Sequence, residues 1–220
     1  MKYFKGYYQL ELLKKAWKRD LFSFFYESYL ILRFFLLAKY SCVFVLNKYD
    51  DVARTVNGFD VSQLEIKSYH QWEDVESPLK IVFEREKRHI FWDVQYWLSK
   101  GARLWVGMID GELAIVSFNR DPTQENAFFF PLTTNCGLIW NSVTLPKFRG
   151  RGLYPAMLRF ISSSLFSEGV ESIFISCYDY NIASIKGIKK AGFREIGTGI
   201  VRKRTGKGLW MPLAKPCRLN

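Results

Sequence analysis

Apolar and polar positions along the chain fall into helical spacing, unbroken apolar runs and strand-like alternation. Leu10, Leu13, Trp17 and Leu21 recur at helical spacing, with Lys14, Lys15, Lys18 and Arg19 on the other faces. That pattern predicts a basic amphipathic helix. Residues 21–46 are then apolar almost throughout, broken by Glu27, Arg33 and Lys39 at intervals of six. A charge at the bilayer centre is costly, so this stretch does not read as a spanning helix. Nor does a small-residue cleavage site mark it as a secretory leader. It divides into a helix, to about Leu37, and a strand at Ser41–Leu46, both packed on the remainder of the chain.

Past residue 61 strands and helices alternate. Leu64–Tyr69 predicts a strand. Helical stretches come next at about 70–78 and 84–99, with Pro78 as the breaker between them and Ile90, Phe91, Val94, Trp97 and Leu98 as a core stripe. Arg103–Ile109 and Glu112–Phe118 are apolar runs joined by Asp110-Gly111, a hairpin signal. Ala127–Phe130 and Leu138–Leu145 predict two more strands, and Pro131–Gly137 a connector between them. Leu153–Ser167 is a helix with Leu158, Ile161 and Leu165 on one face. A strand at Ile173–Tyr178, a short helix at Ile182–Ala191, and strands at Ile196–Lys203 and Leu209–Leu213 complete the series. Hairpin strands first and a strand–helix–strand unit later imply an α+β, or mixed α/β, sheet.

Length and composition narrow this further. The 220 residues are 49% hydrophobic, 17% aromatic and 24% charged, which excludes a disordered chain and allows one sizeable core. We divide the chain into an N-terminal basic and aromatic extension, 1–60, and a main domain, 61–213. Cys42, Cys136, Cys177 and Cys217 form no CxxC pair, and His70 and His89 stand far apart. Neither a disulfide framework nor a metal site is expected, and a reducing cytoplasm fits. The net charge is +11, of which residues 147–220 carry +10. Such a field attracts phosphates, whether of a nucleic acid, a lipid head group or a phosphorylated small molecule.

Two segments carry chemistry. In Ser142-Val-Thr-Leu-Pro-Lys-Phe-Arg-Gly-Arg-Gly-Leu-Tyr-Pro155 a strand ends near Pro146, a short loop bears Arg149, Gly150, Arg151 and Gly152, and a helix begins near Leu153. The first amides of a helix have no internal partner, and its dipole favours an anion there. Glycines let the backbone turn and approach a ligand closely. The amides of 150–153 can therefore cradle a phosphate, with Arg149 and Arg151 beside it. In Asn181-Ile-Ala-Ser-Ile-Lys-Gly-Ile-Lys-Lys-Ala-Gly-Phe193, Asn181 caps a helix and Gly192 stops it.

Together these segments resemble the Gcn5-related N-acetyltransferase family, over roughly residues 61–205. The family's Arg/Gln-x-x-Gly-x-Gly/Ala signature is matched at Arg149 and Gly152, with Tyr154 at its last position, and its Asn-x-x-Ala/Ser and Gly-Phe pair is matched by Asn181, Ser184, Gly192 and Phe193. The longer phrases look like a subgroup of bacterial members with an N-terminal segment before the domain. The resemblance implies the acyl-CoA N-acyltransferase fold, a mostly antiparallel sheet with two splayed strands and flanking helices. It also implies an acetyl-CoA or other acyl-CoA co-substrate. Its pantetheine would pair with backbone near Val143 and Leu145, and its pyrophosphate would sit on the amides of Gly150, Arg151, Gly152, Leu153 and Tyr154. A small primary amine would attack the thioester directly, with helices 70–99 and segment 201–210 lining its side.

The sequence departs from the family twice. Tyr154 stands where Gly or Ala is usual, and Ile188 where many members carry the Tyr that protonates the leaving thiolate. Ser184 or Tyr180 is the substitute acid we name, from nearness to Asn181. His70, Glu73, Asp74 and Asp179 are open as general base. Rival readings are a non-catalytic CoA-binding module and, less favoured, a nucleic-acid-binding protein; aminoacyl transfer from a charged tRNA is remoter still. No nucleic-acid partner is expected, since no reading motif accompanies the charge. Peripheral membrane contact through residues 8–40 and pairing of two copies are both open.

Overall fold

The computed structural model describes residues 13–14, 17–18, 20–36, 38–50, 64–86, 93–121, 128–202 and 208–213. Helix α1 spans Leu21–Leu36 and is followed in the chain by strand β1, Ala38–Asn47. Then come β2 (Glu65–Tyr69), α2 (Ser77–Arg85), α3 (Val94–Ser99), β3 (Arg103–Ile109), β4 (Glu112–Arg120) and β5 (Cys136–Thr144). A 3₁₀ turn at Pro146–Phe148 leads to α4 (Leu153–Ser167), β6 (Ser172–Tyr178), α5 (Ile182–Lys190), β7 (Arg194–Arg202) and β8 (Gly208–Pro212). The strands form one sheet in the order β2-β3-β4-β5-β6-β1-β7-β8. Only β5 and β6 pair in parallel; every other neighbour is antiparallel. The mixed α/β sheet expected from the pattern is present, and it is mostly antiparallel, as the resemblance implies.

The place of β1 is the main difference. Composition sets residues 1–60 apart, yet β1 lies inside the sheet, with β6 on one edge and β7 on the other. Val43, Phe44, Val45 and Leu46 are buried there. Both faces of a central strand are covered, so it is apolar at consecutive positions, as residues 42–46 are. The boundary drawn at residue 60 lies outside the described residues, and it does not divide the sheet.

Local chemistry explains most of the rest. Asp110 and Gly111 both have positive φ, 50° and 74°, the backbone that a two-residue turn between twisted strands demands. Pro78 is not the breaker that the pattern suggests. It sits in the first turn of α2, where its fixed φ suits a helix start and its missing N–H costs nothing. Residues 128–130, expected as a strand, are instead a bend. Phe130 packs on Trp210 with ring centroids 4.6 Å apart and on Phe174 at 5.5 Å, while Phe129 lies over Gly199. Their apolar character serves this anchoring across β6, β7 and β8. The core between the sheet and α4 includes Leu104, Ile115, Ile139, Met157, Leu158, Ile161 and Ile173.

Candidate functional site

Strands β5 and β6 are partners over only four positions, Cys136↔Ser172 to Ile139↔Ile175. Beyond them β5 follows β4 while β6 follows β1 as far as Ser41↔Tyr178. The register of β5 against β4 shifts between Val116 and Phe118, and Asn141 takes a φ of 51°. An irregularity of this kind bends and twists its own strand, and here it stands where β5 leaves β6. Burial follows the geometry: residues 136–139 are buried, and every residue from Trp140 to Thr144 is half-exposed. The result is a gap between diverging strands, bounded on one side by Val143.

The loop closing the end of β5 forms a cradle. Gly150 has φ 83°, and Gly152, the N-cap of α4, has φ 78°. Among the described residues no hydrogen-bond partner is found for the N–H groups of Gly150, Arg151, Gly152 or Leu153. Those amides, at the positive end of a 15-residue helix, suit an anion. Arg149 braces the loop by donating from Nε to the Thr144 carbonyl at 3.1 Å, and the Arg151 guanidinium lies 5.3 Å from the Phe148 ring centre. Lys147, also exposed, is tied to Glu112 at 2.6 Å. The Leu145 N–H donates to Ala114 O and its carbonyl accepts from Phe148 N–H, each at 2.9 Å, and its side chain is buried; the carbonyl keeps a second lone pair. Val143 pairs with Val116 in the half-exposed part of the strand.

Helix α5 borders the gap from the β6 side. Asn181 Oδ1 accepts from Ser184 N–H at 3.1 Å, the cap that the sequence indicates. Tyr154 reaches across from α4: its Oη and Ser184 Oγ share a hydrogen bond at 3.2 Å, and its ring covers Gly187. The Ser184 hydroxyl also hydrogen-bonds the Cys177 thiol, whose pKa burial nonetheless pushes up to about 12. Cys177 stands opposite Cys42 on β1, whose thiol is likewise pushed up to about 11, chiefly by burial. Both thiols are thus poor nucleophiles at neutral pH. Tyr154, Ser184 and Cys177 form a line of hydroxyl, hydroxyl and thiol from the cradle to β6.

The other candidates scatter. Tyr180 is buried beneath α1 with Leu30 and Ile31, its ring stacked on Tyr178 at 5.4 Å. Asp179 is ion-paired with Arg33 of α1. His70, Glu73 and Asp74 are exposed on the turns after β2. That is the end of the sheet where α4 finishes, since Arg103 bonds both Ser68 of β2 and Glu168 just after α4, roughly 20 Å from the cradle by the rise of α4. Ile188 is fully buried. A feature with no signal in the sequence is a pocket of about 230 Å³ at the β2–β3 edge, lined by Lys67, Tyr69, Glu76 and Met108 among others. Hydrogen bonds from Tyr69 and Lys67 hold Glu76 down to about 2. Strands β3 and β4 separate that edge from the gap.

The sequence profile of the acetyltransferase (GNAT) family matches residues 59–193. The chain belongs to the GNAT family. No match was found among curated proteins. Among solved structures, an acetyltransferase of the GNAT family from Colwellia psychrerythraea is similar at 17% identity and a TM-score of 0.51, over 74% of this chain and 55% of that one. A GCN5-related N-acetyltransferase from Sphaerobacter thermophilus is similar at 13% identity and a TM-score of 0.50, over 79% of this chain and 54% of that one. This GNAT chain thus has the acyl-CoA N-acyltransferase fold. It spans between 50% and 62% of the length of the first three solved structures that it matches.

Proposed function

We propose that this GNAT chain is a CoA-dependent N-acyltransferase that moves an acyl group, acetyl first of all, from acyl-CoA to the primary amine of a small molecule. The observation that carries the reading is the run of amides at residues 150–153, without a hydrogen-bond partner among the described residues, beside the point where β5 leaves β6. The cradle takes the pyrophosphate, Arg149 and Arg151 add charge at its rim, and the pantetheine runs along β5 past Val143 towards Asn181 and Ser184. The thioester carbonyl then lies against the open edge of β5, where a main-chain N–H steadies the oxyanion.

The amine nitrogen attacks the carbonyl carbon, the C–S bond breaks, and the ammonium proton leaves through water. The departing thiolate takes a proton from Ser184 Oγ, resupplied by Tyr154 Oη at 3.2 Å, and the Tyr154 phenolate regains a proton from the water that took the one from the ammonium. The phenol that Ile188 cannot provide thus comes from α4. Asp179, held by Arg33, and the distant His70, Glu73 and Asp74 are left out of this path. We place the enzyme in the cytoplasm, in contact with a membrane surface through its N-terminal helix.

Acetyl-CoA is expected to raise the melting temperature of the protein and to be consumed in the presence of members of an amine library. Gly152→Glu puts bulk and negative charge on the cradle and abolishes both effects. Equal stabilisation of the two proteins by acetyl-CoA overturns the site. A second reading, a CoA-binding module without turnover, is favoured by the buried Ile188 alone. Protection by CoA with no acyl transfer to any amine would select it.

A further inference from the structure

Helix α1 has two apolar sides, and the described residues cover only one. Leu30 and Ile31 are buried against Tyr180, and Arg33 pairs with Asp179 while lying 4.0 Å from the Tyr40 ring centre. These contacts fix the helix at the end of the sheet where β6 leaves the gap. They also fix what faces outward. Phe22 is 80% exposed, Phe25 63%, Tyr29 58% and Leu32 57%, all within one stripe of the helix, with Tyr26 beside it and Trp17 in the helical turn before it. At 150–250 Å² for each aromatic side chain, the outward face amounts to several hundred Å², at or beyond the largest patch usual on a monomer.

We propose that this face docks on an anionic lipid bilayer. The chemistry of the stripe selects that occupant. Rings with hydroxyl tips, as on Tyr26 and Tyr29, and an indole prefer the headgroup level, where one end is apolar and the other wet. A coiled-coil seam with a second copy would be aliphatic and narrow, whereas this face is aromatic, with Phe22 and Tyr26 stacked at ring centroids 6.4 Å apart. Charge agrees: Lys14 and Lys18 are exposed just ahead of the stripe, and residues 1–60 carry +4. Among the described residues no helix is long and apolar enough to cross a membrane, so α1 lies in the interface plane with its stripe towards the acyl chains. This deepens the membrane contact proposed above and rests on that reading alone, independent of the acyl-transfer chemistry.

The test is flotation of the full chain with vesicles of phosphatidylcholine, with and without phosphatidylserine. The protein floats with the serine-containing vesicles at least tenfold better than with phosphatidylcholine alone, and added salt reduces the difference without erasing it. Phe22→Ser with Phe25→Ser lowers the partition at least tenfold; Lys14→Glu with Lys18→Glu removes the preference for anionic lipid. Protection by acetyl-CoA is measured on every variant, which shows that the variants fold and reports separately on the cradle. No flotation of the parent protein, or equal flotation of the Phe variants, overturns the docking face while leaving acyl transfer standing. So does a stable dimer that the Phe variants disperse, which would give the face to a second copy.

Discussion

Gly187 is the position where packing at the proposed site can be tested by sign as well as size. A β-carbon there would come 2.5 Å from Cδ1 and 2.9 Å from Cε1 of Tyr154. Those atoms belong to a rigid ring, which can yield only by swinging away from α5 and giving up the 3.2 Å hydrogen bond to Ser184. Overpacking of this kind costs about 1–3 kcal/mol, while replacing Gly by Ala within a helix gains about 1 kcal/mol. Gly187→Ala alone should therefore change stability by a loss of about 0–2 kcal/mol. In a Tyr154→Ala background the three nearest atoms to the β-carbon are gone, and the same substitution should stabilise by about 1 kcal/mol. Urea unfolding of the four proteins closes the double-mutant cycle, with a coupling of about 1–3 kcal/mol. Tyr154→Phe, which keeps the ring and removes Oη, should lower turnover at saturating acetyl-CoA while leaving acetyl-CoA protection intact. If Gly187→Ala stabilises both backgrounds equally, the ring does not lie on α5 and the proton path through Tyr154 fails with it.

Three further outcomes are expected elsewhere in the structure. Phe44→Ala, at a fully buried position of β1, should cost about 3–5 kcal/mol in urea unfolding; a loss below about 1 kcal/mol would mean that β1 is not interior to the sheet. Asn181→Ala removes the cap on Ser184 N–H and should cost about 1 kcal/mol, with a drop in acetyl-CoA protection that a merely distant helix end would not produce. Folding lowers Glu76 from 4.5 to about 2, first through the hydrogen bond from Tyr69 and then that from Lys67. Its contribution is therefore complete above about 4.5 and is lost as pH falls towards 2. Urea midpoints followed downward from about pH 6 should fall more steeply in the parent than in Glu76→Gln; parallel curves would remove Glu76 from the network.

What is legible in the sequence is what neighbouring residues decide among themselves. The Asp110-Gly111 turn, the span of α4, the cap at Asn181 and the two glycines of the cradle each follow from local backbone chemistry, and each stands where the pattern puts it. The features that differ depend on partners far along the chain. Residues 128–130 resemble a strand because a run of rings does, until Phe174 and Trp210 are seen to need covering. Nothing between residues 38 and 47 names β6 and β7 as its neighbours, since strand pairing is set by the whole sheet. The direction of Tyr154 has one clue in the sequence, the glycine in mid-helix at position 187: an interior helical glycine lowers stability unless something packs on it.

The gap itself joins these two kinds of information. Asn141, with its left-handed backbone, sits in the bend of β5, and the register shift against β4 carries the bend onward. A bend in one strand would only tilt a sheet if its neighbour followed. Strand β6 does not follow, because β1 pairs with it from Asn47↔Ser172 to Ser41↔Tyr178, well past the last contact with β5 at Ile175. Two half-sheets, β2-β3-β4-β5 and β6-β1-β7-β8, thus share only four paired positions. The N-terminal strand is one of the supports of the opening, and α1 precedes it in the chain. A load on α1, such as docking at a bilayer, reaches β6 through Arg33–Asp179 and through β1 itself, so the surface at the N-terminus and the site between the strands share a wall.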